Sequence, residues 1–404
     1  MHWRIWLDIM VVNFILQGVT TCISLLIVIA YTKKLDFSNL GSLAFVQSTS
    51  IIIAAIIDYG FSISSIRLLY QYKYSKAYIE KSIIYLRILI SIPIALLLLL
   101  FFFIERDINF LYILFLSFLN GNSIGWLYIS RNKYNLYLKF DILSKLLILL
   151  LIFTLDPKHY YNIVLYLIIN LFFLNIISYK ASFSTSYIFT IPNIQEIRIM
   201  KSLFKRYQFP FINVLGIFYN NLPLILISVA FGEKLTGLYS ISEKIIRWLT
   251  IPIQPARAIL LQKYIQLFHS RNISYIKLNQ SITIAILIFT LINFITLNIF
   301  SDKIFKLIFS KNDELLSVIL LPLSFSLIFI YLNEFNCSYK MYVMKMEAKV
   351  LKILASGIVL LALSFLLVKI LKSSFMIGFP FLLSEFLIFI LSAYYTNRVK
   401  LYKP

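Results

Sequence analysis

The chain has 404 residues, of which 60% are hydrophobic and only 14% are charged, and its mean hydropathy is +0.87. Water-soluble domains are about 45–50% apolar and about 25% charged, so this composition excludes an ordinary soluble protein and indicates a lipid bilayer as the solvent. The formal net charge is +21. Because the basic residues stand in short clusters between apolar runs, and not along one soluble face, nucleic acid is not an expected partner.

Twelve apolar runs are long enough to cross a membrane, since a helix needs about 20 mostly apolar residues to span a hydrocarbon core of about 30 Å. They predict an all-α polytopic membrane protein with about twelve transmembrane helices. In chain order the runs lie near 9–31, 39–62, 82–104, 109–129, 138–155, 160–180, 208–231, 237–256, 281–300, 314–333, 350–370 and 375–396.

The loop charges predict the orientation of these spans. One set of helix ends carries 24 of the 38 Lys and Arg residues, and positive residues are retained in the cytoplasm, so both termini are expected there. The first apolar run lacks a small-residue cleavage site and is followed at once by Lys33 and Lys34, which favours a retained span over a removable signal.

The longest connection between spans divides the chain into two halves with the same number of spans. Six spans on each side predict a parallel repeat about an axis along the membrane normal. A short sequence similarity between the halves, which we call the sequence echo, agrees with this repeat. Lys34 precedes Gly41 at the start of the second helix of the first half, and Lys234 precedes Gly237 at the start of the second helix of the second half. The predicted segments are an N-terminal six-helix bundle (1–181), a cytoplasmic connecting segment (182–207) and a C-terminal six-helix bundle (208–404).

The clearest intramembrane charges lie on the eighth span, where Glu243, Lys244 and Arg247 share adjoining parts of one helical face. Charges in lipid are costly, so this face should look at protein or water. One interpretation is a cationic wall for an anionic ligand, with Glu243 holding Arg247 in place. The other is a self-neutralised pair beside a lysine that reaches the interface.

The second span ends at Asp58, with Arg67 beyond it and Arg87 opening the third span. These groups predict a charged gate near the cytoplasm, although contact of the arginines with lipid phosphates explains them as well. Glu385 lies near the middle of the twelfth span without a basic residue within a helical turn. Such a carboxyl group could couple transport to H+ or Na+, or form a structural hydrogen bond to a neighbouring helix.

Uncharged polar residues mark the leading span of each half. They either line a wet cavity that binds sugar hydroxyls or join helices by hydrogen bonds. The candidates are Asn13, Gln17, Asn220 and Asn221. No metal site is expected, because the two cysteines begin no C-x-x-C pair and the three histidines have no metal-binding spacing. No cofactor is expected either, since the chain lacks a phosphate-binding G-x-x-x-x-G-K-[ST] loop.

Two motifs carry a family resemblance. Residues 41–45 (GSLAF) and 58–61 (DYGF), closed by Arg67, resemble the second-helix signature of Wzx-type O-antigen and polysaccharide flippases, which belong to the multidrug/oligosaccharidyl-lipid/polysaccharide (MOP) exporter superfamily. Residues 237–240 (GLYS) with Glu243 and Lys244 resemble the eighth-helix segment of that family. The family usually shows a Trp-x-x-Gln-Gly pattern after the fourth span, whereas this chain reads WLYISRN from Trp126.

The resemblance implies a MATE/MOP-like pair of six-helix bundles in the bacterial cytoplasmic (inner) membrane. The implied activity is translocation of an undecaprenyl-diphosphate-linked oligosaccharide from the cytoplasmic to the periplasmic leaflet by alternating access, without enzymatic chemistry. Lys244 and Arg247, then Arg87 and Arg67, are the candidates for binding the diphosphate. Asp58, Glu243 and Glu385 are the candidates for gating or coupling. The implied partners are the lipid-linked oligosaccharide, the bilayer, an O-antigen polymerase and a chain-length regulator.

Three other functions compete with this hypothesis. A MATE-like multidrug or ion antiporter would share the fold, but cationic drugs favour acidic cavities. An O-antigen polymerase or ligase would need a large periplasmic loop with catalytic Arg or His residues, and every outer loop is short. A major-facilitator sugar permease would carry a Gly- and Arg-rich loop between the second and third spans, and residues 70–81 lack it.

Overall fold

The computed structural model describes residues 2–61, 76–131, 133–182, 192–206, 209–250, 274–311, 313–341, 344 and 346–398. These ranges are helical nearly throughout. The helices are α1 (His2–Lys34), α2 (Phe37–Asp58), α3 (Lys76–Glu105), α4 (Asn109–Gly121), α5 (Gly125–Ser130), α6 (Tyr134–Leu155), α7 (Tyr160–Ser182), α8 (Ile194–Arg206), α9 (Phe209–Phe231), α10 (Glu233–Thr250), α11 (Ser274–Ile304), α12 (Glu314–Glu334), α13 (Glu347–Ile370) and α14 (Phe379–Arg398). Short π-helical turns follow α11 and α12, at Phe305–Phe309 and Phe335–Met341.

Ten candidate membrane spans occur in the described part of the chain, which makes this a multi-pass membrane protein. They match ten of the twelve expected spans. The other two correspond to α6 and α10, which each carry at least three charged residues, whereas each of the ten spans has a stretch of 18 residues with at most two. On α6 the charged residues are Lys139, Asp141 and Lys145, and the carboxylate of Asp141 pairs with the ammonium group of Lys145 at 2.7 Å, one turn away. The fourth span is broken, since α4 ends at Gly121 and α5 begins at Gly125.

The helices group into two compact units. The first comprises Met1–Leu35 and Phe45–Asn221, and the second comprises Asp36–Ala44 and Leu222–Pro404. In the first unit α1 packs on α6, α6 on α7, and α3 on both α4 and α8. In the second unit α12 packs on α10, α11 and α14, and α14 packs on α13. The start of α2 therefore belongs to the second unit and the rest of it to the first, and the division after Asn221 falls inside α9.

The start of α2 crosses the start of α10 within the second unit. A Cβ atom at Gly41 would lie 1.8 Å from the Glu233 carbonyl oxygen, and one at Gly237 would lie 1.9 Å from the Phe37 carbonyl oxygen. Gly41 on α2 therefore lies against the backbone of α10 at Glu233, four residues before Gly237. Gly237 lies against the backbone of α2 at Phe37, four residues before Gly41. The reciprocal pattern follows the sequence echo between the two halves. The Ser38 hydroxyl adds a 2.8 Å hydrogen bond to the Glu233 carboxylate.

Asp36 caps the amino end of α2 beside this crossing. The backbone N–H of Asn39 donates to Asp36 Oδ1 at 2.8 Å, which is the usual N-cap contact. This hydrogen bond holds the pKa of Asp36 below its ordinary value. The ammonium group of Lys311 lies 5.4 Å from the Phe37 ring centroid, and burial lowers the pKa of that lysine.

Candidate functional site

The charged face of α10 is built around Glu243 and Arg247. Arg247 Nη2 and Nε donate to Glu243 Oε1 at 2.6 and 3.0 Å. The Glu243 side chain is 8% exposed and that of Arg247 is 46% exposed, so a buried carboxylate fixes a guanidinium that is nearly half exposed. Lys244 is half-buried beside them. This is the arrangement that the sequence spacing predicted, while the role of the pair in binding stays a prediction.

A second polar contact lies in the same unit, around Glu385 on α14. Asn333 on α12 donates its Nδ2 to Glu385 Oε2 at 2.6 Å and to the Glu385 carbonyl oxygen at 2.9 Å. Both side chains are buried. The helix-to-helix hydrogen bond, one of the two interpretations of this carboxyl group from sequence, is therefore present, and its donor is an amide.

Tyr239 lies one turn before Glu243 on α10, and α10 packs on α12, the helix that carries Asn333. Its side chain is fully buried, and its hydroxyl has no hydrogen-bond partner among the described residues. The same holds for Asn333 Oδ1. Buried polar atoms without partners are rare and costly, so this cluster of Tyr239, Glu243, Asn333 and Glu385 is a functional candidate. We call it the C-unit cluster.

The first unit has its own buried charge pair. Arg87 Nη2 forms an ion pair with Asp58, and Nη1 donates to the Ser123 carbonyl oxygen at 2.7 Å. Its guanidinium lies 5.4 Å from the ring of Trp126. Arg87 is 1% exposed, so protein surrounds it on every side. The structure thus joins Asp58 and Arg87, two of the three predicted gate residues, while Arg67 lies outside the described residues.

The uncharged polar candidates have mostly local contacts. Asn221 is buried and donates Nδ2 to the Ile217 carbonyl oxygen of its own helix at 2.8 Å, whereas Asn220 is exposed. Gln17 is half-buried on α1, and its backbone carbonyl oxygen accepts hydrogen bonds from the hydroxyl groups of Thr20 and Thr21. Asn13 also falls on α1. Their role in a sugar-binding cavity stays a prediction.

Sequence reasoning missed three residues of these clusters. Asn333 stands 52 residues before Glu385, so no local pattern could pair them. Tyr239 lies one turn before Glu243, a spacing that was available but offered no reason to prefer it over other aromatic residues. Trp126 was singled out only as a departure from the family pattern, and the structure shows that it contacts Arg87.

Among the residues that the structure describes, no three His, Cys, Asp or Glu side chains are placed to hold a metal ion. The carboxyl, guanidinium and phenol groups described above can bind ligands, pair charges and transfer protons. The C-unit cluster places two carboxyl groups and a phenol, all buried, on the packed helices α10, α12 and α14.

The chain matches no protein-family model, and no curated protein matches it in sequence. Several solved structures do match it in fold. The inward-facing structure of a multidrug resistance MATE family transporter of the MOP superfamily aligns with a TM-score of 0.68 and 12% identity, over 97% of this chain and 99% of that one. An outward-facing structure of such a transporter gives a TM-score of 0.52 at 11% identity, over 97% and 96%.

A mutant of a Vibrio cholerae MATE transporter aligns with a TM-score of 0.52 and 14% identity, over 98% of each chain. The likeness extends over nearly the full length of both proteins in all three cases. The chain therefore has the MATE transporter fold, as the sequence analysis predicted. At these identities the likeness concerns the fold.

Proposed function

We propose that this chain is a secondary transporter that moves an amphiphilic cargo across a bacterial inner membrane by alternating access. The observation that carries the proposal is the MATE transporter fold over 97% of the chain. The chemistry of the described residues agrees, because their buried charged groups are paired or hydrogen-bonded and offer binding rather than catalysis. Of the transporter functions weighed from sequence, the comparisons favour the MATE-like ion antiporter over the flippase.

The C-unit cluster supplies the group that we expect to couple transport to an ion gradient. Glu385 can take up a proton or hold a small cation, and Asn333 Oδ1 and the Tyr239 hydroxyl are buried oxygen atoms that have no hydrogen bond among the described residues. Oxygen ligands of this kind suit protons and hard cations. Movement of one charge down the membrane potential releases about 2.3 kcal/mol per 100 mV, which can be used to drive export.

Substitution of Glu385 tests this coupling. Purified protein is reconstituted into vesicles, and uptake of a fluorescent organic cation is measured under an imposed proton or sodium gradient. Glu385→Gln keeps the hydrogen bond to Asn333 but removes the charge, and we expect it to abolish gradient-driven uptake. Glu314→Gln, which changes an exposed carboxylate at the start of α12, is the matched control. Gradient-driven uptake that survives in Glu385→Gln would contradict the coupling role.

A flippase for a lipid-linked oligosaccharide is the second candidate, and the charged face of α10 favours it. Arg247 is fixed by Glu243 and is nearly half exposed, so its guanidinium can meet a diphosphate while its carboxylate partner stays buried. Arginine suits phosphate because its planar donors can bind two oxygens at once. Lys244 is on the same helix. The resemblance of residues 237–244 to the flippase segment points the same way.

Surface polysaccharide distinguishes the two candidates. We expect Arg247→Ala to abolish long surface chains in a host that lacks its own flippase, without loss of membrane insertion, if the cargo is a lipid-linked oligosaccharide. Lys158→Ala removes an exposed cation far along the sequence and serves as the control. Failure of the unsubstituted protein to restore polysaccharide, combined with gradient-driven uptake in vesicles, would leave the antiporter as the function.

A further inference from the structure

We propose that one face of α8 binds the anionic headgroup layer of the cytoplasmic leaflet. We call this face, made of Ile194, Ile197, Arg198 and Lys201, the outward face. The proposal is independent of the cargo and needs only that the protein spans a membrane.

The amino end of α8 is fixed by a capping box. The Asn193 backbone N–H donates to Glu196 Oε2 and the Glu196 backbone N–H donates to Asn193 Oδ1, both at 2.8 Å. This reciprocal pair satisfies two amide groups that a helix start otherwise leaves open. The outward face is therefore presented on a helix with a capped amino end.

The opposite face of α8 is attached to the first turns of α3. The Lys81 ammonium group pairs with Glu196 Oε1 at 3.1 Å, and the Ser82 hydroxyl lies 3.3 Å from the Glu196 carbonyl oxygen. Ile199 is buried in the same hydrophobic cluster as Ile79 and Ile83. Because the candidate span on α3 begins at Tyr78, these contacts place α8 at the level where that span enters the membrane.

The outward face has the composition of a membrane-surface helix. Its four residues recur at the spacing i, i+3, i+4 and i+7, which puts them on one side of a helix. Ile194 is 71% exposed and Ile197 is 52% exposed. Arg198 and Lys201 are exposed beside them, whereas the acidic residue of the helix, Glu196, is buried on the other face.

Anionic lipid fits this face better than another occupant. Exposed isoleucines would be costly in water, yet they can enter the boundary between headgroups and acyl chains, while the cations meet lipid phosphates. A soluble protein partner would have to reach a helix that is level with a span entrance. The cytoplasmic side, on which loop charge places α8, is also the side of the membrane where basic segments are attracted to anionic lipid.

Hydrogen exchange of α8 in the full-length protein tests the proposal. The protein is placed in vesicles of phosphatidylcholine, with and without phosphatidylglycerol, and a third sample contains neutral vesicles with inorganic phosphate. We expect exchange of the α8 amides to slow on the order of 25-fold in the anionic vesicles alone, since each of the two cations near an anionic surface contributes about a five-fold effect.

Two matched variants separate lipid binding from general electrostatics. Arg198→Gln with Lys201→Gln should lose the slowing, whereas Lys158→Gln with Lys303→Gln, which removes two exposed cations elsewhere, should keep it. Equal exchange in neutral and anionic vesicles would overturn the proposal. So would slowing by inorganic phosphate in neutral vesicles, which would indicate a free anion, or slowing only after addition of cytosol, which would indicate a soluble partner.

Discussion

Alanine at Gly41 should open the crossing between the starts of α2 and α10. A Cβ atom there would lie 1.8 Å from the Glu233 carbonyl oxygen, whereas ordinary contact begins at 3.4 Å, so the helices must separate by about 1.6 Å. The obstacle is backbone, which cannot turn aside as a long side chain can. Overpacking of this kind typically costs about 1–3 kcal/mol.

Gly216→Ala is the control for this prediction, because a Cβ atom at Gly216 on α9 meets nothing within 4 Å. Alanine in a helix interior gains about 0.5–1 kcal/mol over glycine at either position. The difference between the two variants therefore isolates the overpacking cost. It can be measured as the free energy of unfolding in mixed micelles titrated with a denaturing detergent.

The combination of Gly41→Ala with Gly237→Ala extends the test. The two glycines share one crossing, so the second substitution should cost less once the first has separated the helices, and the two costs should not add. Equal stability of Gly41→Ala and Gly216→Ala would refute the reasoning, because it would mean that the crossing is not closely packed in the membrane.

Two further predictions concern buried charge. Asp58→Asn should destabilise the protein by about 3–5 kcal/mol, because it leaves the Arg87 charge buried without its counter-ion, and pairing it with Arg87→Met should recover part of this loss in the same unfolding measurement. Lys340 lies beyond the candidate span Glu314–Cys337. Burial lowers the pKa of its amine from 10.5 to about 8. Acylation of this amine, followed by mass spectrometry, should therefore be half-maximal near pH 8. Since the folded chain then binds fewer protons at this amine than the unfolded chain, stability should rise as pH increases from about 8 to 10.5; a reactivity midpoint near 10.5 would contradict both expectations.

The sequence was informative where the physics is local. Apolar runs of sufficient length can form only helices in lipid, so the spans and the fold class could be predicted. The spacing of Glu243 and Arg247 placed them one turn apart, and the structure has them in contact. Asp141 and Lys145 have the same spacing and are also in contact.

Contacts between residues far apart in the sequence could not be predicted. Nothing near Glu385 indicates that its partner is Asn333, because their contact depends on how α12 packs on α14. The position of Arg87 near a helix end left two interpretations open, a charged gate with Asp58 or contact with lipid phosphates, and in the structure the guanidinium is enclosed by Asp58 and Trp126. Tertiary packing decides whether a charge near a helix end is exposed or enclosed, and no periodicity reports it.

The crossing of α2 and α10 makes the second compact unit depend on a segment from the first half of the chain. Residues 36–44 belong to the first half of the gene but to the second compact unit. If the gene were cut at the connecting segment, Gly41 and Gly237 would lie on separate polypeptides and their interlocking would become an association between molecules. Two halves expressed as separate chains would therefore have to find each other through this glycine contact before the second unit could be complete.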